Sequence, residues 1–314
     1  MKAPIDHGHG NEPRSRERRV RYSYFPGCTA NTTAAEFGLS TEAVFEALDI
    51  ELLEIDGWSC CGASSAHSLN HELALSLPGR NLALADEAGL DTVIPCPACY
   101  LNSATADKAL RDDPEWRARL EAELGFQYTG NGRPRHPLDV LDNDVGTTEL
   151  KRRVVKPLAG LRVACHYGCV LVRPPELTGW DDAEHPTSMD RVLEAMGAQP
   201  VDWSYKVDCC GASLTLSLSD VVVDLSNKLV EGAIEAGADC IASPCGICQI
   251  NMDTRQLPNP SLATAWEGNR QAKMPIFYFT ELVGLALDLP DVGKWLKMHT
   301  IDPLPLLRAR GLLA

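Results

Sequence analysis

Three shortages narrow what this chain can be. Basic residues are scarce: 29 Lys and Arg stand against 43 Asp and Glu, a formal net charge of −14. That balance argues against a nucleic-acid partner, because such binding rests on neutralising phosphates with basic side chains. Long apolar runs are missing as well, and none approaches the roughly 20 residues a bilayer-spanning helix needs. The nearest, Pro275 to Leu289, carries Glu281 and Asp288 and reads as a core segment. The N-terminal residues, Met1 to Arg19, have no apolar centre of the kind a secretory signal requires. They are polar and rich in Gly, Pro, Arg and His, which predicts a flexible tail over 1–19. The expectation is a soluble, cytoplasmic protein with no direct membrane span.

Against those shortages stand 12 cysteines in 314 residues. They are too sparse for a disulfide-stapled mini-protein, and without an export signal clustered thiols point to metal ligands or redox centres. Ten of them fall into a duplicated pattern. The first half has Gly27-Cys28, then Cys60-Cys61-Gly62-Ala63-Ser64, then Pro95-Cys96-Pro97-Ala98-Cys99. The second has Gly168-Cys169, then Cys209-Cys210-Gly211-Ala212-Ser213, then Pro244-Cys245-Gly246-Ile247-Cys248. The gap from the first cysteine to the pair is 31 residues in one copy and 39 in the other, while 34 separate pair from C-x-x-C in both.

The intervening segments repeat too. Apolar-rich runs at Val20 to Phe25 and Leu161 to Cys165 predict strands before each Gly-Cys turn. Helical spacing marks Thr41 to Leu48 and Ser188 to Met196. Longer helices are expected over Ser64 to Ala88 and Ser213 to Ala236, stopped by Gly89 and Gly237, with Pro78 and Gly79 breaking the first. Thr92 to Ile94 and Cys240 to Ser243 read as strands leading into each C-x-x-C. Each copy is thus β–α–β–α–β–α, and the fold expected is α/β, two pseudo-repeated parallel-sheet lobes with a site at the carboxyl ends of the strands. Glu115 to Leu124 predicts a charged surface helix. Arg133 to Asp144 reads as a loop plus the closing element of copy one, and Pro275 to Asp288 closes copy two with an apolar strand-then-helix run. The division expected is 20–150 and 151–314.

Thiolates are soft ligands that favour zinc, Cu(I) and iron–sulfur centres. A C-x-x-C turn alone also fits a thioredoxin-like dithiol. Adjacent cysteines point apart in an extended chain, which suits two metal atoms of one cluster better than one mononuclear site. Five cysteines per copy exceed the four of a closed zinc site and of an ordinary cubane, so either one is spare or the cluster is unusual. A zinc-stabilised scaffold and a cluster-free dithiol–disulfide enzyme are the rival readings. Cys240, on an apolar strand with no mate, reads as a core residue.

The doubled motif, with YFPGCTA, CHYGC and FYFTELVGLAL around it, resembles the cysteine-rich CCG domain of the heterodisulfide reductase B-type subunits, from about Tyr24 through Asp288. The 34-residue gap is one short of the usual family gap, which implies a shortened loop rather than a lost ligand. The resemblance implies two noncubane [4Fe-4S] clusters. One would be held by Cys28, Cys60, Cys61, Cys96 and Cys99, the other by Cys169, Cys209, Cys210, Cys245 and Cys248. It implies disulfide, thiol or persulfide chemistry in one-electron steps. It also implies two partners in a heterodisulfide-reductase-like complex, a ferredoxin-like C-type subunit with cubane clusters and a flavoprotein A-type subunit, and a small or protein-bound thiol as substrate. Copy two carries Cys165-His166 where copy one has Tyr24-Phe25. Cleaving a disulfide yields thiolates that need protons, so His166 is the expected acid–base residue.

Overall fold

The computed structural model describes residues 19–63, 66–257 and 273–313. Of the expected tail, only Arg19 falls within them.

Copy one forms a sheet of β1 (Val20–Tyr24), β2 (Ile50–Glu54), β3 (Thr92–Val93) and β4 (Pro134–Arg135). Copy two forms another of β5 (Arg162–Cys165), β6 (Gln199–Pro200), β7 (Cys240–Ser243) and β8 (Ile276–Tyr278). The orders are β2-β1-β3-β4 and β6-β5-β7-β8, the same permutation, and every pairing is parallel. Parallel neighbours cannot be joined by tight hairpins, so helices carry the chain back each time. Among the described residues each copy has four strands. In copy one β4 adds to the three expected, within the segment read as a loop plus closing element; in copy two β8 and the helix Phe279–Ala286 are the expected strand-then-helix closing run.

The helices that matter for the site are α1 (Ala35–Ala47), α2 (His71–Asp86), α3 (Pro97–Asp112), α4 (Pro114–Leu124) and α5 (Gly146–Arg153) in copy one. Their counterparts in copy two are α6 (Ser188–Ala195), α7 (Ser219–Glu235), α8 (Gly246–Thr254) and α9 (Phe279–Ala286). Gly89 and Gly237 take φ of 62° and 77°, left-handed stops where expected. Pro78 does not break its helix. It sits inside α2 and removes one backbone bond, but Pro78 and Gly79 are buried. A Cβ on Gly79 would lie 3.1 Å from Leu120 Cδ2, so the bare backbone lets α4 approach and tertiary packing offsets the missing bond. The interruption falls instead at Asn70, whose Oδ1 accepts from the backbone N–H of Glu72 at 2.7 Å and caps α2. In copy two, α7 begins only at Ser219, after a 3₁₀ turn over Ala212–Leu214.

The copies are interlocked. Helix α9 of copy two packs on α1 of copy one, and α5 of copy one packs on α6 of copy two. One apolar core accordingly includes Phe37, Phe45 and Val93 from the first copy with Val163, Val192, Phe277 and Leu282 from the second. Phe37 stacks on Tyr278 with centroids 4.7 Å apart and an interplanar angle of 4°. Ser40 and Thr280 hydroxyls meet at 2.6 Å in the same buried seam. Residue 150, the expected division, lies within α5, the helix that crosses to the other copy.

Candidate functional site

Each sheet delivers its cysteines from the carboxyl ends of its strands. After β1 the chain turns through Gly27, φ 70°, to Cys28; after β5 it turns through Gly168, φ 75°, to Cys169. A Cβ on Gly27 would stand 3.3 Å from Cys99 Sγ, and one on Gly168 would stand 3.2 Å from Cys248 Sγ. Only glycine both takes the left-handed turn and leaves that sulfur its space. Cys96 and Cys245 are the N-cap residues of α3 and α8, so the unpaired N–H groups of a helix start face each C-x-x-C turn. The cysteine pairs follow β2 and β6. The N–H of Gly62 donates to Cys60 Sγ at 3.4 Å, and that of Gly211 donates to Cys209 Sγ at 3.3 Å.

All ten patterned cysteines come together as two sets of five. Cys28 resists ionisation although the residue is exposed, because its sulfur is partly stripped of water and because Cys60, Cys96 and Cys61 are its neighbours. Cys169 is pushed up to about 12, by burial and then by Cys209, Cys210 and Cys245. Cys99 and Cys248 complete the sets, with Sγ atoms 3.1 Å from Cys61 and 3.2 Å from Cys210. Those separations are well beyond a disulfide bond, and every cysteine is a free thiol. Within each set a proton is shared unequally. Cys61 and Cys210 are held down by the hydrogen bonds they share with Cys99 and Cys248, whose own thiols are pushed well up. Cys96 is brought down to about 6, first by Cys99, then by the N–H groups of Cys99 and Ala98 and the Thr29 hydroxyl. Cys28, Cys60 and Cys209 are exposed, so each set is open on one side.

Five soft donors around one opening fit a group that brings several positive centres, since a coordinated thiol is deprotonated outright. They fit a single ion poorly. Among the described residues, no three His, Cys, Asp or Glu side chains form a set that could hold one metal ion.

His166 is fully buried, and burial pushes it down to about 4, a neutral imidazole at neutral pH. Its Nδ1 lies 3.1 Å from the Tyr205 carbonyl and must carry the hydrogen, which leaves Nε2 as an acceptor. Among the described residues that Nε2 is buried without a hydrogen-bond partner. Cys165 and Cys240 are fully buried in the apolar cores, where burial drives both thiols well above their ordinary range.

Two asparagines escaped sequence reasoning. Asn102 Nδ2 donates to the Cys61 carbonyl at 3.3 Å, and Asn251 Nδ2 donates to the Cys210 carbonyl at 3.4 Å and lies 3.7 Å from its Sγ. Each stands three residues after the last cysteine, in CYLN and CQIN, so the repeat itself held the signal. His136, buried between the two C-x-x-C turns, left no such trace.

The family pattern of a cysteine-rich domain, CCG, matches the chain twice, over residues 22–102 and 163–253. The 8-methylmenaquinol:fumarate reductase membrane anchor subunit of Wolinella succinogenes is 33% identical over 90% of this chain and 97% of its own length. The B-type subunit of the ferredoxin:CoB-CoM heterodisulfide reductase of Methanosarcina mazei is 30% identical over 86% of this chain and 91% of its own. A protein of Archaeoglobus profundus described as like the heterodisulfide reductase B-type subunit is 28% identical over 85% and 91%. Among solved structures, a hypothetical protein from Helicobacter pylori matches with a TM-score of 0.65 over 94% of this chain and 54% of that one. At 13% identity that likeness concerns the fold alone. Both matched segments carry their full cysteine sets on the same sheet framework, and the relatives align along nearly their whole length. The chain belongs to the cysteine-rich CCG-domain family that includes the B-type subunits of heterodisulfide reductase.

Proposed function

We propose that this chain is an iron–sulfur electron-transfer subunit of a multisubunit reductase. It holds one noncubane [4Fe-4S] cluster in each repeat, 20–150 and 151–314, and couples electron transfer to disulfide, thiol or persulfide chemistry. The observation that carries this reading is the pair of matching five-thiol sets, all unbonded, each at the carboxyl ends of a parallel sheet. The heterodisulfide reductase relatives, named as B-type subunits of larger reductases, support it, and the partners we propose are a ferredoxin-like C-type subunit and a flavoprotein A-type subunit. Among the described residues no helix is long and apolar enough to cross a membrane. We place the assembly in the cytoplasm.

When bound, the clusters supply one-electron carriers at the sulfur-lined openings. The chain's own residues do the rest. Cys60, Cys61, Cys209 and Cys210 present sulfurs from adjacent positions, and the glycines after them donate backbone hydrogen bonds that hold the outer sulfur of each pair. Hydrogen bonds to sulfur and solvent exposure set cluster potentials, so the exposed Cys28, Cys60 and Cys209 mark the side where potential is tuned and substrate arrives. His166 enters as a neutral imidazole whose buried Nε2 can accept a hydrogen bond, while its burial opposes the charge that taking a full proton would bring. Acting as an acid would require it first to gain that charge.

Anaerobic purification tests the reading. A brown protein with about eight irons per chain, four for each cluster, is expected. Its EPR signals should respond to added disulfides. A colourless protein with stoichiometric zinc would overturn it, and cysteines that cycle in pairs without iron would favour the dithiol enzyme. The menaquinol:fumarate reductase relative favours a second reading, a relay of electrons between other subunits with no thiol bound. There, EPR signals would follow an electron donor and ignore every disulfide.

A further inference from the structure

His136 follows β4 and caps the helical turn Pro137–Asp139, fully buried at 0% exposure. Its Nδ1 accepts from the Leu138 N–H at 3.1 Å, so in the neutral ring the hydrogen sits on Nε2. That Nε2 lies 2.9 Å from the Pro95 carbonyl and 3.3 Å from the Pro244 carbonyl. Carbonyls only accept, so one N–H is shared between two peptide groups. They are the peptides that lead into Cys96 and Cys245, the first cysteines of the two C-x-x-C turns. Among the described residues, no other side chain hydrogen-bonds both turns.

The corresponding position in copy two is Tyr278. Val93 pairs with Arg135 and Ala242 with Phe277, so the next residues in register are His136 and Tyr278. The Tyr278 hydroxyl reaches Gly246 O at 3.5 Å and Gln249 Oε1 at 3.3 Å, both within its own copy. The bridge is thus an asymmetric feature laid on a symmetric frame. Other contacts bring the turns close: a Cβ on Gly246, inside the second C-x-x-C, would stand 3.0 Å from Ala34 Cβ of copy one.

We propose that His136 is the positioning residue that fixes the two cysteine sites relative to each other and gives them a direct hydrogen-bonded path, Cys96–Pro95 C=O···H–Nε2···O=C Pro244–Cys245. This inference rests on the reading that each site holds a cluster. The path runs through one shared N–H, so the two sites communicate without a diffusing carrier. Orientation of the Pro95 and Pro244 peptides also fixes the backbone N–H groups of Cys96 and Cys245, and through them the field at both sites.

The test is EPR on the anaerobically loaded chain, with both clusters reduced. Wild type should show spin coupling between the two centres, seen as splitting or broadening that is absent when one is reduced alone. His136→Phe should load the same iron but lose that coupling, and the two midpoint potentials should move. His136→Gln, whose amide nitrogen can stand where Nε2 does, should restore both. Should the Phe variant fail to fold, His136→Asn, whose shorter amide cannot reach the carbonyls, carries the same expectation. Tyr278→Phe should leave the coupling intact. Iron-loaded wild type with two uncoupled signals overturns the inference outright, as does coupling unchanged in a folded, loaded Phe or Asn variant. A wild type without iron instead overturns the proposed function, so the two failures are distinguishable.

Discussion

The two cysteine sites keep one sulfur geometry and surround it differently. Cys61 and Cys99 stand 3.1 Å apart, Cys210 and Cys248 3.2 Å; the glycine bonds to Cys60 and Cys209 are 3.4 and 3.3 Å. Around that frame, Thr29 gives a hydroxyl to Cys96 in copy one, whereas the residue after Cys169 is Val170. Cys28 is exposed while Cys169 is half-buried. Strand ends carry His136 in one copy and Tyr278 in the other. What is duplicated is the holding of sulfur; what diverges is the supply of protons, hydrogen bonds and solvent. On the function proposed above, the copies hold like groups at unlike potentials.

The largest effect should come from deleting a buried sulfur. Cys210→Ala should empty copy two and Cys61→Ala copy one, each lowering iron from about eight to about four per chain. Metal analysis with EPR would assign the remaining signal to one copy. Complete loss of iron from either change would show that the sites do not assemble independently.

Next is the seam that joins the copies. Phe37→Ala removes a ring stacked on Tyr278 and set edge-on to Phe279, and should cost about 3–5 kcal/mol, read from urea unfolding. Because the core is shared, both halves should unfold in one transition. Two separate transitions would mean that each sheet stands alone.

A third contrast is among buried histidines, and it sets a pH optimum. Burial alone would lower His299, but the Glu281 carboxylate at 2.8 Å, with Asp253 and Glu36 beyond, holds it up at about 9. Its folded pKa exceeds the unfolded 6.5, so its stabilisation is complete below about 6.5 and disappears as pH rises through about 9. The shift corresponds to about 3 kcal/mol. His136 and His166 shift the other way, to about 3 and about 4 by burial, so their contribution is intact above about 6.5 and is lost as pH falls through those values. Stability measured against pH should peak near 6.5. His299→Gln should flatten the alkaline limb only, and an unchanged alkaline limb would show that the buried pair does not titrate as described.

How much of this was legible in the sequence depended on repetition and length. The ten cysteines, their glycines and the strands before them could be read because each appears twice at fixed spacing. Strand β4, two residues of Pro and Arg, is too short for any period to show and is defined only by its pairing with β3. Pro78 misled because local propensity predicts a break, whereas burial against α4 decides the outcome. The helix α1 starts at Ala35 rather than Thr41, since its first turn is held by packing on α9. His136 was invisible because its meaning lies in two carbonyls, 41 and 108 residues away.

The smallest effect expected is also the closest comparison, between Asn102 and Asn251. Asn251 is fully buried and bonds the Cys210 carbonyl, with Thr215 Oγ1 at 3.0 Å and Cys210 Sγ at 3.7 Å. Asn102 is half-buried and, among the described residues, bonds the Cys61 carbonyl alone; where copy two has Thr215, copy one has Ala66. Asn251→Ala strands the buried Cys210 carbonyl and should cost about 1–3 kcal/mol, while the Thr215 hydroxyl keeps its bond to the Ala212 carbonyl at 2.9 Å. Asn102→Ala, which water can compensate, should cost about 1 kcal/mol or less. The sharper readout is potential, because among the described residues Asn251, not Asn102, approaches a sulfur. Its loss should lower the midpoint of the copy-two centre, since a donor that stabilises charge on sulfur is gone, while Asn102→Ala leaves the copy-one centre nearly unmoved. Equal shifts in the two variants would show that the asparagines act through the backbone alone, and the contrast between the copies would then rest on Thr29 and His136.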